Sequence, residues 1–279
     1  MIGLEEFPDR TLNERVIERL RSGPLDARSI CTDILGIAAA PPAVAARLAV
    51  ALLGSDPRVT QHADGRWALA APTAHAPGLA DCPFAVVDCE TTGMRAAADD
   101  RITEIAVVLV QGERRETILD TLVNPERPIP AQISAVTGIT DVMVRHAPTF
   151  AQVADQLAEA LAGRVFVAHN ARFDWGFVTA GLARARGTGL AGPRLCTVRL
   201  ARRLCPEAGS CGLDNLSQWF NFENPARHRA AGDADVTAQL LRRLLFLAGA
   251  HRVRTLDELL AFAVMTRRER RLHAAEESS

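Results

Sequence analysis

The stretch FAVVDCETTG, residues 84–93, decides how the rest of this chain is read. It opens apolar and carries two adjacent valines, a run suited to a buried strand. Asp88 and Glu90 stand two apart within it, so on a strand both side chains leave the same face. They lie at the strand's C-terminal end, where open α/β sheets tend to place their sites. Neighbouring like charges are unfavourable unless a cation lies between them, so the pair points to a metal. A D-x-E pair by itself also occurs at ordinary solvated strand ends. Thr91, Thr92 and Gly93 follow, small residues that let a ligand lie against the backbone.

Downstream, RITEIAVVLVQG and RRETILDTLVNP read as a second and a third strand, joined by a short turn containing glycine. The three strands are expected to form a meander. AQVADQLAEALAG has the spacing of an amphipathic helix, RVFVAH is a fourth strand, and ARFDWGFVTAGLARARG is a helix. PRLCT is a short fifth strand, helical pieces follow around 198–205 and 213–220, and a long helix is expected over 232–248. The sum is an α/β domain with a mixed five-stranded sheet flanked by helices on both faces, a ribonuclease H-like arrangement.

Upstream, residues 10–53 read as successive helices, the last with Pro near its start and Gly at its end. RVTQHADGRWALA then gives two extended runs around Asp64-Gly65, a hairpin signal. Three helices and a hairpin make a small winged-helix-like α+β module. The expected boundaries are 1–70 for this module, 71–82 for a linker rich in Ala and Pro, 83–250 for the main domain, and 251–279 for a short C-terminal helix with a frayed tail. A winged helix can read duplex DNA. Here residues 1–80 carry eight Arg against nine acids, with no basic stripe on any one helix. A scaffolding role or a protein partner is therefore favoured over autonomous duplex binding.

Composition sets the frame. The chain has 279 residues, 48% hydrophobic and 23% charged, with a net charge of −1, so no overall basic field advertises nucleic acid. All 32 basic residues are Arg and Tyr is absent, the bias of a GC-rich genome. The six cysteines form no CxxC pair, and the start MIGLEEFPD lacks the regions of a signal peptide. The most apolar stretch, 36–54, is broken by Pro41-Pro42 and Arg47, too interrupted to span a membrane. A reduced, cytoplasmic protein is the expectation.

Two later segments carry chemistry. In VAHNARFDWGFV, Asp174 falls in the first turns of a helix, where a carboxylate is favoured and can face the sheet end. Asn170 is expected to be the N-cap, and His169 to be structural. Phe173, Trp175 and Phe177 are expected in the core, because alternate residues on a helix do not share a face. In ARHRAAGDADVTAQLL, Asp233 starts the final helix and His228 belongs to the loop before it. A loop imidazole titrating near neutrality is suited to general base work. Asp235 points elsewhere and is read as surface. Four carboxylates with one histidine can hold two divalent cations and deprotonate a water.

These three segments resemble the three motifs of the DnaQ-like, DEDD-type 3′–5′ exonucleases, in the subtype with His in the third motif. The run LVNPERPIPAQISAVTGITDVMVRHAPTFAQV is similar to the proofreading, epsilon-like branch, and the resemblance covers about 84–248. It implies Asp88, Glu90, Asp174 and Asp233 as ligands of two divalent cations, Mg²⁺ or Mn²⁺, and His228 as general base. It implies further that Asp88 bridges the cations, that Glu90 and Asp233 serve the attacking water, and that Asp174 serves the leaving group. Thr91, Thr92 and Gly93 would approach the 3′-terminal nucleotide. The expected reaction releases nucleoside 5′-monophosphates from single-stranded or frayed DNA 3′ ends, in proofreading or repair. An RNA-trimming enzyme of the ribonuclease T or oligoribonuclease sort is the alternative on the same cluster. From another class, the alternative is a winged-helix binding protein with a degenerate nuclease domain, which the full set of five residues disfavours. The short segment after 248 and the absence of a clamp-binding peptide argue against polymerase association.

Overall fold

The computed structural model describes residues 12–54, 56, 58–62, 64–69 and 78–264. The chain divides into two compact units, Met1–His75 and Ala76–Ser279. The linker read at 71–82 lies outside the described residues as far as position 77, and the expected frayed tail lies outside them from 265.

In the first unit, helices α1 (Leu12–Leu20), α2 (Ala27–Asp33) and α3 (Pro42–Leu53) precede a two-stranded sheet of β1 (Val59–Gln61) and β2 (Trp67–Leu69). Asp26 caps α2, accepting from Ser29 N–H at 2.7 Å. Gly65, with φ of 82°, supplies the left-handed backbone that the turn between β1 and β2 needs. Val16, Leu20, Ile30, Leu53 and Trp67 form the core, as their helical and strand spacing requires.

The second unit is built on a sheet with strand order β5-β4-β3-β6-β7. Its strands are β3 (Phe84–Thr91), β4 (Ile102–Gln111), β5 (Arg114–Leu122), β6 (Val165–Ala168) and β7 (Arg194–Cys196). β3, β4 and β5 form the expected antiparallel meander, whereas β6 and β7 run parallel to β3. Between β5 and β6 come α4 (Ala131–Thr137), α5 (Asp141–Val144) and α6 (Phe150–Leu161). The first two were not legible as helices, being seven and four residues long. α7 (Arg172–Arg186) joins β6 to β7, and α8 (Thr197–Leu204), α9 (Leu213–Phe220), α10 (Ala230–Ala250) and α11 (Leu256–Val264) follow.

Alternation along β3 sorts its side chains between two cores. Phe84 and Val86 pack on the side of α8, α10 and α11, with Leu200, Leu240, Leu241 and Leu244. Ala85, Val87 and Cys89 pack on the other side, with Leu157, Phe177 and Val178 of α6 and α7. Asp88 and Glu90 continue the first series, Cys89 the second. The site therefore inherits its handedness from the pleat of one strand. Phe177 is buried, and Phe173 and Trp175 are half-buried against the same core, as expected for all three. All six cysteines are free. Among the described residues, no helix is long and apolar enough to cross a membrane.

Candidate active site

β3 pairs with β6 only as far as Val86↔Val167, while its pairing with β4 continues through Glu90↔Glu104 and, after a register shift, to Thr91↔Ile102. Beyond Val86 the sheet opens on one side, and the carboxylates gather in that opening. Oxygens of Asp88, Glu90 and Asp233 lie within 4.8 Å of one another. Asp233 reaches them from the first turn of α10, which covers the same face.

Asp174 comes from the opposite face, in the first turn of α7. It is buried, and its Oδ1 accepts from the Cys89 backbone N–H at 3.2 Å and from the Cys89 thiol at 3.3 Å. Those bonds satisfy a strand N–H beyond the end of the β3–β6 pairing. The carboxyl is pushed up to about 7 by burial, with the Cys89 bonds pulling the other way. Although its oxygens lie outside the tight trio, burial and then the charge of Asp174 drive the Asp88 carboxyl well above its ordinary range. Glu90 is raised to about 7 by burial, Asp233 and Glu104. Asp233 is raised mainly by burial. Burial favours the protonated form of each of these acids, and a positive charge beside them would reverse that preference.

Both oxygens of Asp233 have donors. Asn224 Nδ2 donates to Oδ1 at 2.6 Å, and the His228 backbone N–H donates to Oδ2 at 3.2 Å. His228 has φ of 58°, a left-handed turn that reverses the chain just ahead of α10. Its imidazole is close enough to act electrostatically on Asp233. Gly232 makes the approach possible, since a Cβ there would collide with the Ala226 carbonyl oxygen. Arg227 pairs with Asp214 of α9, fastening the same loop at a second point.

Beside the trio, Thr91 Oγ1 donates to the Gly93 carbonyl. Thr92 is buried, and its hydroxyl accepts from Arg101 N–H at 3.0 Å while its own N–H donates to the Arg101 carbonyl at 2.8 Å. The Thr92 side chain thus closes the 92–101 loop rather than projecting from it. Gly93 lies against the Asp100 carboxylate, where a Cβ would not fit. Exposed Met94 follows immediately.

One sequence expectation is corrected. Asn170 is not the N-cap of α7: that position is Ala171, and no side chain caps it. Asn170 instead adopts φ of 70°, a left-handed conformation that Asn tolerates better than most residues. The strand must turn sharply into the helix here, and that backbone demand outweighs the capping preference. His169 stands beside it as a structural group. Its Nδ1 lies 2.9 Å from Thr197 Oγ1, and burial pushes the imidazole down to about 4.

Glu104 and Cys89 were missed. Glu104 is buried, facing Glu90 across the ladder, and holds Arg229 through a forked pair and the Ala230 N–H at 2.9 Å. The available signal was an acid within RITEIAVVLVQG, a strand otherwise nearly all apolar.

Asp88, Glu90 and Asp233 form a carboxylate cluster at the sheet's end, and Asp174 enters beside it from the other face. The donor set is all oxygen, which suits hard divalent cations. An exonuclease family model, that of ribonuclease T, matches residues 85–241, more than half of the chain, and the protein belongs to that family. A Mycobacterium tuberculosis (strain CDC 1551 / Oshkosh) protein named as a bifunctional exonuclease/endonuclease is 41% identical over 191 residues, 66% of this chain and 30% of that protein. A DNA polymerase III subunit epsilon-like protein of Rhodobacter capsulatus is 41% identical over 169 residues, 58% of this chain and 23% of that one. The chain thus spans less than a third of the length of these relatives. Among solved structures, exonuclease X in complex with 5′ overhanging duplex DNA is 28% identical, with a TM-score of 0.53 over 64% of this chain and 99% of that one. The ribonuclease H-like sheet expected from the sequence is the fold that this chain shares with exonuclease X.

Proposed function

We propose that this protein is a metal-dependent 3′–5′ exonuclease that releases nucleoside 5′-monophosphates from single-stranded or frayed DNA 3′ ends, in proofreading or repair. The observation that carries the reading is the convergence of Asp88, Glu90 and Asp233 oxygens within 4.8 Å of one another. It is supported by Asp174 abutting the same opening and by His228 tied to Asp233. The two relatives named for an exonuclease and for an epsilon-like subunit, and the DNA-bound neighbour, support DNA as the polymer.

Asp88, Glu90, Asp174 and Asp233 would hold two divalent cations, Mg²⁺ or Mn²⁺. When bound, such ions supply the positive charge that phosphodiester hydrolysis requires on the attacking and leaving oxygens. His228 Nδ1 or Nε2 takes the proton of the attacking water. Thr91, Thr92 and Gly93 bring backbone close to the terminal nucleotide, with Gly93 letting the Asp100 carboxylate pack against the turn. Asn224 and the His228 N–H orient Asp233.

Residues 83–250 act as the exonuclease domain and 1–70 as a separate module. The exposed side of α3 presents Ala43, Val44, Ala46, Arg47 and Val50, one charge on an apolar surface. That composition suits a protein partner better than duplex phosphates.

The test uses end-labelled single-stranded DNA and RNA of matched sequence, with Mg²⁺ or Mn²⁺, beside Asp88→Ala and His228→Ala. Stepwise shortening of DNA from its 3′ end is expected, abolished by Asp88→Ala and strongly reduced by His228→Ala. No metal-dependent degradation of either polymer overturns the enzyme reading. Degradation of RNA alone reassigns the substrate.

A further inference from the structure

We infer that Glu104 is a positioning residue for this centre: through Arg229 and the first N–H of α10, it sets where Asp233 and His228 stand relative to Asp88 and Glu90. The inference rests on the exonuclease reading and adds to it a residue outside the five catalytic ones.

Glu104 is 2% exposed and lies directly across the ladder from Glu90. A buried carboxylate without partners is strongly unfavourable, so its position dictates where its donors must be. The Arg229 guanidinium supplies a fork, with Nε at 3.0 and 3.1 Å from the two oxygens and Nη2 on Oε1. Ala230 N–H supplies a third donor at 2.9 Å. Arg229 is the N-cap residue of α10 and has no side-chain cap of its own there. The cap is instead delivered from β4, satisfying an N–H that the helix itself leaves open. Nearby negative charge also favours the helix N-terminus.

Three consequences follow from that one anchor. The start of α10 is pinned to the strand paired with β3, which fixes the height of Asp233 over Asp88 and Glu90. The residue before Arg229 is His228, so the base inherits the same anchor through one peptide bond. The Glu104 oxygens, engaged by three donor groups, stay out of the trio of oxygens gathered by Asp88, Glu90 and Asp233.

Charge alone predicts the opposite outcome for one substitution, which makes the inference testable. Arg229→Gln removes a positive charge beside the acids, so Coulomb's law by itself would tighten cation binding. Positioning predicts that it weakens. The experiment measures Mn²⁺ binding by electron paramagnetic resonance on the full chain without nucleic acid. It compares wild type, Glu104→Gln, Glu104→Ala, Arg229→Gln and Arg229→Lys, with thermal unfolding and circular dichroism on each. Glu104→Ala and Arg229→Gln are expected to lose about 10–100-fold in Mn²⁺ affinity, as removal of outer partners of a metal site does. Glu104→Gln and Arg229→Lys, which keep part of the contact, are expected to fall between. On labelled oligonucleotide, kcat should fall while KM stays near wild type, because the acids move and the strand-binding surface does not. If Glu104→Ala fails to fold, Glu104→Gln and Arg229→Gln decide the matter.

A folded Arg229→Gln that binds Mn²⁺ as tightly as wild type, or more tightly, overturns the inference and leaves the exonuclease reading intact. Lower thermal stability with unchanged Mn²⁺ affinity in all variants also overturns it, reducing the pair to a structural tie. A wild-type chain that binds no Mn²⁺ overturns the exonuclease reading first, and this inference with it.

Discussion

The backbone N–H of His228 donates to the carboxylate of Asp233 at 3.2 Å, so the proposed base and a proposed ligand move as one unit. Asn224 holds the other oxygen of the same carboxylate. The loop from Asn224 to His228 is thereby closed onto the first turn of α10. A free loop would place the imidazole in many positions, and this clamp fixes the backbone from which it projects.

Gly232 is the test of that clamp. Any side chain there meets the Ala226 carbonyl, so Gly232→Ala must push the loop away from the helix. We expect kcat to drop by about 10²-fold, the order seen for ångström-scale misplacement of a reacting group. Mn²⁺ should still protect the chain against heat, because Asp88 and Glu90 are untouched. Unchanged kcat in a folded Gly232→Ala chain would contradict this account of the loop.

The acids predict how stability depends on pH. Glu90 and Asp174 are each pushed up to about 7, from ordinary values of 4.5 and 3.8, and Asp88 is raised well above its own. The folded chain therefore holds more protons than the unfolded chain, and stability falls as pH rises through that window. Differential scanning calorimetry in EDTA should show Tm decreasing from pH 6.5 to about 8, a range in which His169 is neutral in the folded chain and protonated in the unfolded chain only towards the lower end. Added Mg²⁺ or Mn²⁺ should abolish most of the decrease by replacing the lost protons. A Tm that rises over this range without metal would refute the assignment of raised carboxyls.

His169 should behave in the opposite sense. Burial lowers its imidazole to about 4 from 6.5, so the unfolded chain protonates first. Its contribution to stability is complete above 6.5 and is lost as pH falls towards 4. Proton NMR of the imidazole should show no titration at neutral pH. Thr197→Val removes the hydroxyl bonded to Nδ1 and should cost about 1–3 kcal/mol of stability, the usual penalty for a buried group left unpaired.

Removal of residues 1–75 should leave a folded chain. Those residues form their own compact unit, and the cut keeps the bridge between Gly78 and Thr255. The truncated chain is expected to bind Mn²⁺ with wild-type affinity and to shorten brief single-stranded substrates at a rate within a few-fold of the full chain. Loss of Mn²⁺ binding in a truncated chain with native circular dichroism would place the module within the catalytic unit.

Sequence alone determined the strand that carries Asp88 and Glu90, because a short apolar run with adjacent valines, ended by small polar residues and a Gly, suits a buried strand. It determined the helices that carry Asp174 and Asp233, and a meander joined to parallel strands. Local chemistry suffices for such features, since each depends on a residue and its near neighbours. It erred at Asn170, where capping preference and left-handed tolerance favour the same residue type, and the tight exit from β6 decided between them. Tertiary structure alone decided how the acids meet. Asp88, Glu90 and Asp233 share the face covered by α10, while Asp174 enters from the other face on α7 and bonds to Cys89. Only the fold could reveal that Glu104 pairs with Arg229, 125 positions away in sequence. A buried charge is legible in a sequence, but its partner is not, because burial and pairing are properties of packed surfaces rather than of neighbouring residues.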